Sequence, residues 1–147
     1  GRGTSPGRGV IQTYNPDHYS ITSSVDYDFN YFFNKELKVR KAFNYPPFSD
    51  IVNIISSSRN ENDAADALCD LTEKLKNKFN ELNKNYDILG PTQAPISKIN
   101  NYYRWQTIIK GKIDNDTKKI IKYTIDHTHL KCANTKISMD VNPVSLS

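Results

Sequence analysis

The side chains of this 147-residue chain best suited to chemistry are cationic and aromatic. From Ile88 to Ile113 there is no acidic residue, while Lys98, Arg104, Lys110 and Lys112 interleave with Tyr102, Tyr103 and Trp105. Cations that meet phosphates, set beside rings that stack on bases, suit a nucleic-acid strand. The plainer alternative is a solvated surface, because Asn, Lys and Ile are abundant along the whole chain. Net charge is +4 and uneven: +2 through Phe48, −3 from Ser49 to Asp87, and +5 from Ile88 onward.

Other chemistry is missing from the sequence. There is no G-x-x-x-x-G-K-[ST] and no G-x-G-x-x-G, so this chain alone is expected to bind no ATP in the usual way and to be inactive as an enzyme. Cys69 and Cys132 are too few for a disulfide scaffold and wrongly spaced for zinc, so no metal is expected and a reducing cytoplasm is the expected compartment. Cys69 reads as a small buried hydrophobe on a long helix. His127 and His129 stand two apart on a predicted helix, where they point apart and do not share a metal. His18 beside Asp17 reads as local structure at a helix start. No run approaches the roughly 20 apolar residues that span a bilayer, so no membrane partner is expected. The opening GRGTSPGRG, beginning at Gly1 and not Met, reads as the tail of something longer.

The elements that position the basic run follow from punctuation and periodicity. Val10–Tyr14 reads as a short strand, and Asn15-Pro16-Asp17 as a helix start with Asn15 as cap and Pro16 in the first helical position. A helix is predicted over Asp26–Phe43, with Phe29, Phe32, Phe33 and Leu37 at helical spacing, stopped by Tyr45-Pro46-Pro47-Phe48. Ser49–Ser57 reads as a strand. Asn60 caps a long helix striped by Ala64, Leu68, Leu71, Leu75, Phe79 and Leu82. Ile88-Leu89 forms a short strand closed by Gly90-Pro91, and Tyr102–Lys112 a longer one. Pro91–Asn101 is expected to be a long connection, with a recognition role or none. Asp114 or Asp116 caps a last helix striped by Ile120, Ile121, Thr124 and Ile125, and Ile137, Met139 and Val141 alternate in a final strand.

This order predicts an α+β fold, a ferredoxin-like β-α-β-β-α-β sandwich with both helices on one face of an antiparallel sheet. Alternation then sorts the third strand. Tyr103, Trp105, Thr107 and Ile109 face the core, with Trp105 more readily a packing anchor than a stacking platform. Arg104, Gln106, Ile108 and Lys110 face outward. The contact candidates are Lys98, Arg104, Gln106 and Lys110, with Tyr102 as a stacking residue; the alternative for all of them is a solvated or domain-docking face.

Several segments in order carry a resemblance. GRGTSPGRGVIQTYNPDHYSI, KELKVRKAFNYPPFSDIVNI, LGPTQAPISKI, YRWQTIIK and DVNP resemble the C-terminal region of the bacterial primosomal replication-restart helicases, the PriA (primosomal protein N′) family. YPPF, LGP and YRWQ in correct spacing are its specific part. Gly9 stands where that family more often has an apolar residue. The resemblance implies the end of an ATP-dependent superfamily 2 helicase that moves 3′ to 5′ on DNA and restarts stalled forks. It implies ATP, magnesium and structural zinc in the intact protein and no cofactor in this stretch. Arg2 is similar to the last arginine of helicase motif VI, a catalytic role open to it only in the intact protein, where a guanidinium stabilises developing phosphoryl charge.

The resemblance also implies a C-terminal domain similar in fold to a small-subunit ribosomal protein. Its implied partners are forked or single-stranded DNA, the acidic tail of single-stranded-DNA-binding protein, and other primosome proteins. On this reading residues 1–24 are the remnant of helicase lobe 2, 25–48 a helical connector, and 49–147 a DNA- and partner-binding domain. A purely structural domain docking on the helicase core is the alternative. An RNA-binding module is disfavoured, because no strand carries the K/R-G-F/Y-G/A-F-V-x-F/Y pattern.

Overall fold

A computed structural model of the chain describes Thr4, residues 9–128 and residues 134–143. Arg2, His129 and Cys132 lie outside the described residues. The chain divides into two compact units, Gly1–Val39 and Arg40–Ser147.

In the first unit, α1 runs Tyr19–Val25, and α2 (Phe29–Ala42) begins there and continues into the second. Asn15-Pro16-Asp17-His18 is a turn, closed by the His18 amide on the Asn15 carbonyl at 3.3 Å, and not the expected helix start. Proline in the second position of a β-turn explains the difference. His18 is the cap instead, its Nδ1 accepting from the Ser20 amide. Val10–Tyr14 is not a strand: among the described residues no segment pairs with it, and an extended run without a partner leaves its backbone to solvent. Tyr19 donates to Glu36 at 2.6 Å and stacks on Phe32. Ser23 is the buried residue of α1, and α2 buries none.

The second unit is a sandwich. Its elements are β1 (Asp50–Ser58), α3 (Glu61–Glu81), β2 (Asp87–Ile99), β3 (Tyr102–Gly111), α4 (Asn115–Asp126) and β4 (Lys136–Val141). The sheet order is β2-β3-β1-β4 and every neighbouring pair is antiparallel, the arrangement of a ferredoxin-like fold. Asn60 caps α3 by accepting from the Asn62 amide, and Asp114 caps α4 by accepting from the Thr117 amide. Leu68, Leu71, Leu75 and Phe79 of α3 and Ile121 of α4 close on Val52, Ile54 and Ile109, all buried. Trp105, Ile137, Met139 and Val141 pack at the margin of that core. Thr72 and Thr107 share a buried hydrogen bond at 2.9 Å between α3 and β3.

Three further expectations fail. Leu82 is the cap residue after α3 and half exposed, so the stripe ends at Phe79. Cys69 is exposed, because one residue past Leu68 rotates about 100° away from the buried stripe. Partial burial and the carboxylates of Asp66 and Asp70 push its thiol up, away from the reactive thiolate form. Pro91–Asn101 is not a long connection: β2 continues through it with register shifts between Leu89 and Thr92 and between Gln93 and Lys98. The hairpin then closes on Asn100-Asn101, both with positive φ (50° and 64°), a two-residue turn of the primed kind.

Candidate nucleic-acid interface

The helices cover one face of the sheet, so the other face is read from cross-strand partners, which share a side. Ser57 lies opposite Arg104 on β3 and Lys136 on β4, making one row of Lys136, Ser57 and Arg104. The next row is Ser138, Ile55, Gln106 and Thr92, and the one after is Asp140, Asn53, Ile108 and Leu89. Ile51, Lys110 and Asp87 complete the face.

Tyr102, Arg104, Gln106 and Lys110 therefore share this face, and Trp105 lies on the other with the core. Lys98 does not join them. It pairs with Tyr103, its ammonium 4.5 Å from that ring's centroid and 3.3 Å from the hydroxyl it donates to.

The face is polarised. Its hairpin end carries Arg59, Tyr102, Arg104 and Lys136, with the Arg59 guanidinium 5.8 Å over the Tyr102 ring. Arg104 is half-buried and one of its Nη atoms donates to the Ile96 carbonyl at 3.3 Å, which fixes the guanidinium above the bulged part of β2. Six residues along β3, about 20 Å at the usual strand rise, Lys110 stands opposite Asp87. Its ammonium lies 4.3 Å from the ring centroid of Tyr45, in the YPPF turn. Lys110 and Arg104 thus stand too far apart to reach one and the same group. Gln106 is only 7% exposed and Asn53 3%, and the side-chain oxygen of each has no hydrogen-bond partner among the described residues. Gln106 lies beneath the surface, between Arg104 and Ile108.

Arg59 and Lys136 were missed because their neighbours on this face are remote in sequence. Alternation in β4 was a usable signal: with Ile137, Met139 and Val141 inward, Lys136 must point out. Among the described residues no three His, Cys, Asp or Glu side chains gather to hold a metal.

Residues 41–144 match the model of the family described as the primosomal protein N C-terminal domain. The chain belongs to that family. The primosomal protein N C-terminal domain is thus the second unit almost in full, from the last turn of α2 through β4. Curated relatives named replication restart protein PriA extend the likeness upstream. One from Borreliella burgdorferi is 33% identical over 93% of this chain and 20% of its own length, and one from Bacillus subtilis 32% over 97% and 18%. A third, from Thermotoga maritima, is 33% identical over 71% of this chain and 13% of its own. The chain spans about a fifth or less of the length of these relatives. No helix among the described residues is long and apolar enough to cross a membrane.

At the far end of the primosomal protein N C-terminal domain, Lys84 donates to Asp114 at 2.7 Å and to Thr117 at 2.8 Å, tying the loop after α3 to the start of α4. Tyr86 shares a hydrogen bond with the same Thr117 hydroxyl and meets Phe79 edge-on. The Lys84 ammonium and the Thr117 donors hold the Asp114 carboxyl well below the usual carboxylate range, and the Lys84 pKa is raised in return. A depressed carboxyl stabilises the fold above its unfolded pKa of about 3.9, and that contribution is lost as pH falls through the lower folded value. Asp114→Asn keeps a capping oxygen and removes the charge. Its melting temperature is expected to lie below that of the parent chain near neutral pH, and the gap to narrow as pH is taken from about 4 toward 2. Thermal melts across that range check it; a gap independent of pH would refute the ion pair's part.

Proposed function

We propose that this chain is the C-terminal portion of an ATP-dependent 3′–5′ DNA helicase that restarts stalled replication forks and assembles the primosome. In this reading ATP, magnesium and structural zinc belong to the rest of the protein, with Arg2 completing the ATPase site in the intact chain. The α+β domain contributes binding of forked or single-stranded DNA and docking of partners, including other primosome proteins and the acidic tail of single-stranded-DNA-binding protein. The observation that carries the DNA-binding part is the row Lys136–Ser57–Arg104 with Arg59 over Tyr102: cations from three segments converge beside an aromatic ring on the sheet face away from the helices. Arg59, Arg104 and Lys136 meet phosphates, Tyr102 supports a base, Gln106 supports from beneath, Lys110 guides the strand at the far end of the face, and Lys98 meets it from the edge strand β2.

The test is titration of the chain with forked DNA and with an acidic peptide at two salt concentrations. Three phosphate contacts on a single strand give a slope of log affinity on log salt near about −2, at about −0.7 per contact. DNA binding with that slope supports the reading; binding of the peptide alone removes DNA as the ligand.

One observation favours a second reading, in which the chain also docks on the helicase core. Phe29 is 70% exposed and Phe33 48%, and the two rings stack along α2. Beside them a groove of about 490 Å³ is lined by residues that include Ser23, Tyr27 and Phe32. Exposed apolar patches of this kind mark protein contacts. The double substitution Phe29→Ser and Phe33→Ser is expected to weaken association with the separately expressed helicase portion at least several-fold and to leave DNA affinity unchanged, as read by calorimetry.

A further inference from the structure

One groove of the helical layer, a layer that is net acidic as a whole, brings lysines against an aromatic ring on the side of the sandwich away from Arg104. Between α3 and α4 runs a groove of about 260 Å³ lined by Lys74, Asn77, Lys78, Tyr123, Thr124 and His127. Tyr123 is 55% exposed although it is large and aromatic. Its ring stacks on His127 at 3.9 Å between centroids, and the Lys78 ammonium sits 5.3 Å from its own. The His127 Nδ1 lies 2.8 Å from the Tyr123 carbonyl, which fixes the imidazole against the phenol. The lining holds two lysines and no carboxylate, and Lys122, exposed, adjoins Tyr123 on the same helix.

We propose that this groove holds a second segment of nucleic acid, with one base laid on the Tyr123–His127 pair and its flanking phosphates on Lys74 and Lys78. Charge complementarity within the groove lining, joined to a pre-set ring pair, defines the ligand. A ring pair already held in place has little side-chain freedom left to lose, and lysines on one side select an anionic ligand whose other feature is a flat ring. An acidic peptide satisfies the lysines and leaves the stack unused. The inference rests on the DNA-binding reading and deepens it: the sheet face and the helix groove lie on opposite sides of the domain, so one domain touches two segments of a branched substrate.

The test uses the whole 147-residue chain, fluorescein-labelled oligothymidylate, a fork built from the same strand, and an acidic peptide. Tyr123→Ala and the double substitution Lys74→Ala and Lys78→Ala are each expected to weaken fork binding about tenfold, and Tyr123→Phe to leave it within about twofold, since a phenyl ring still stacks. Melting temperatures should stay near the parent value because these side chains are at the surface. Unchanged fork binding by both Ala variants overturns the proposal, and so does a loss confined to the acidic peptide. Failure of the sheet face is separable: unaltered fork binding by Arg104→Ala with a tenfold loss in Tyr123→Ala removes that reading and leaves the groove.

Discussion

Gly90→Ala is expected to destabilise the fold by about 2–3 kcal/mol, the sum of backbone strain at positive φ and a steric clash. Gly90 has φ +102°, and a Cβ there would lie 2.8 Å from the Gln106 carbonyl oxygen and 3.2 Å from the Thr92 amide nitrogen. Both neighbours are backbone and cannot swing aside. The residue sits where β2 slips register against β3, between the Leu89 and Thr92 pairings. Relief of the clash would part β2 from β3 beside Gln106, in the row adjoining Arg104. Chemical denaturation should show the lower midpoint with an unchanged slope. A variant as stable as the parent would mean that the bulge can form without glycine.

Arg104→Ala is expected to weaken forked-DNA binding about tenfold or more, since hydrogen bonds to charged groups contribute about 1.5–3 kcal/mol each. The salt slope should become shallower by about 0.7. Because one Nη atom also donates to the Ile96 carbonyl, Arg104→Lys is the necessary companion. Lysine keeps the charge and loses the planar fork, so it should recover part of the affinity while losing the same tie to β2. If Lys and Ala at this position bind DNA equally, the residue acts through β2 and not through phosphate.

The two helices of the sandwich and the core side of β3 were legible in the sequence because one interaction, burial of a stripe, dominates there. Leu68, Leu71, Leu75 and Phe79 recur with the helical period, and Thr107 and Ile109 alternate with outward residues, so local spacing carries the answer. The second half of β2 was not. Gly90, Pro91 and Pro95 interrupt any alternation, and the segment is a strand only because β3 supplies partners across an Asn100-Asn101 turn. Two adjacent asparagines tolerate left-handed backbone, a signal available in the sequence and outweighed by the prolines. The cationic corner was half legible. Arg104 stood out within its own run, whereas Arg59 and Lys136 become its neighbours only through the ladder registers of β1 with β3 and β4. The start of α1 was misplaced for a related reason: Pro16 suits both a helix start and a turn, and the Asn15 carbonyl decided for the turn.

The measurement that bears most directly on the central claim is a nuclear magnetic resonance titration of the isotopically labelled chain with forked DNA, following backbone amides and arginine Nε–H groups. The Arg59 and Arg104 side-chain signals and the amides around Ser57, Tyr102 and Lys136 are expected to shift together and to saturate at one DNA concentration. Saturable binding that leaves those signals unmoved, with every shift confined to α1 and α2, would contradict that claim.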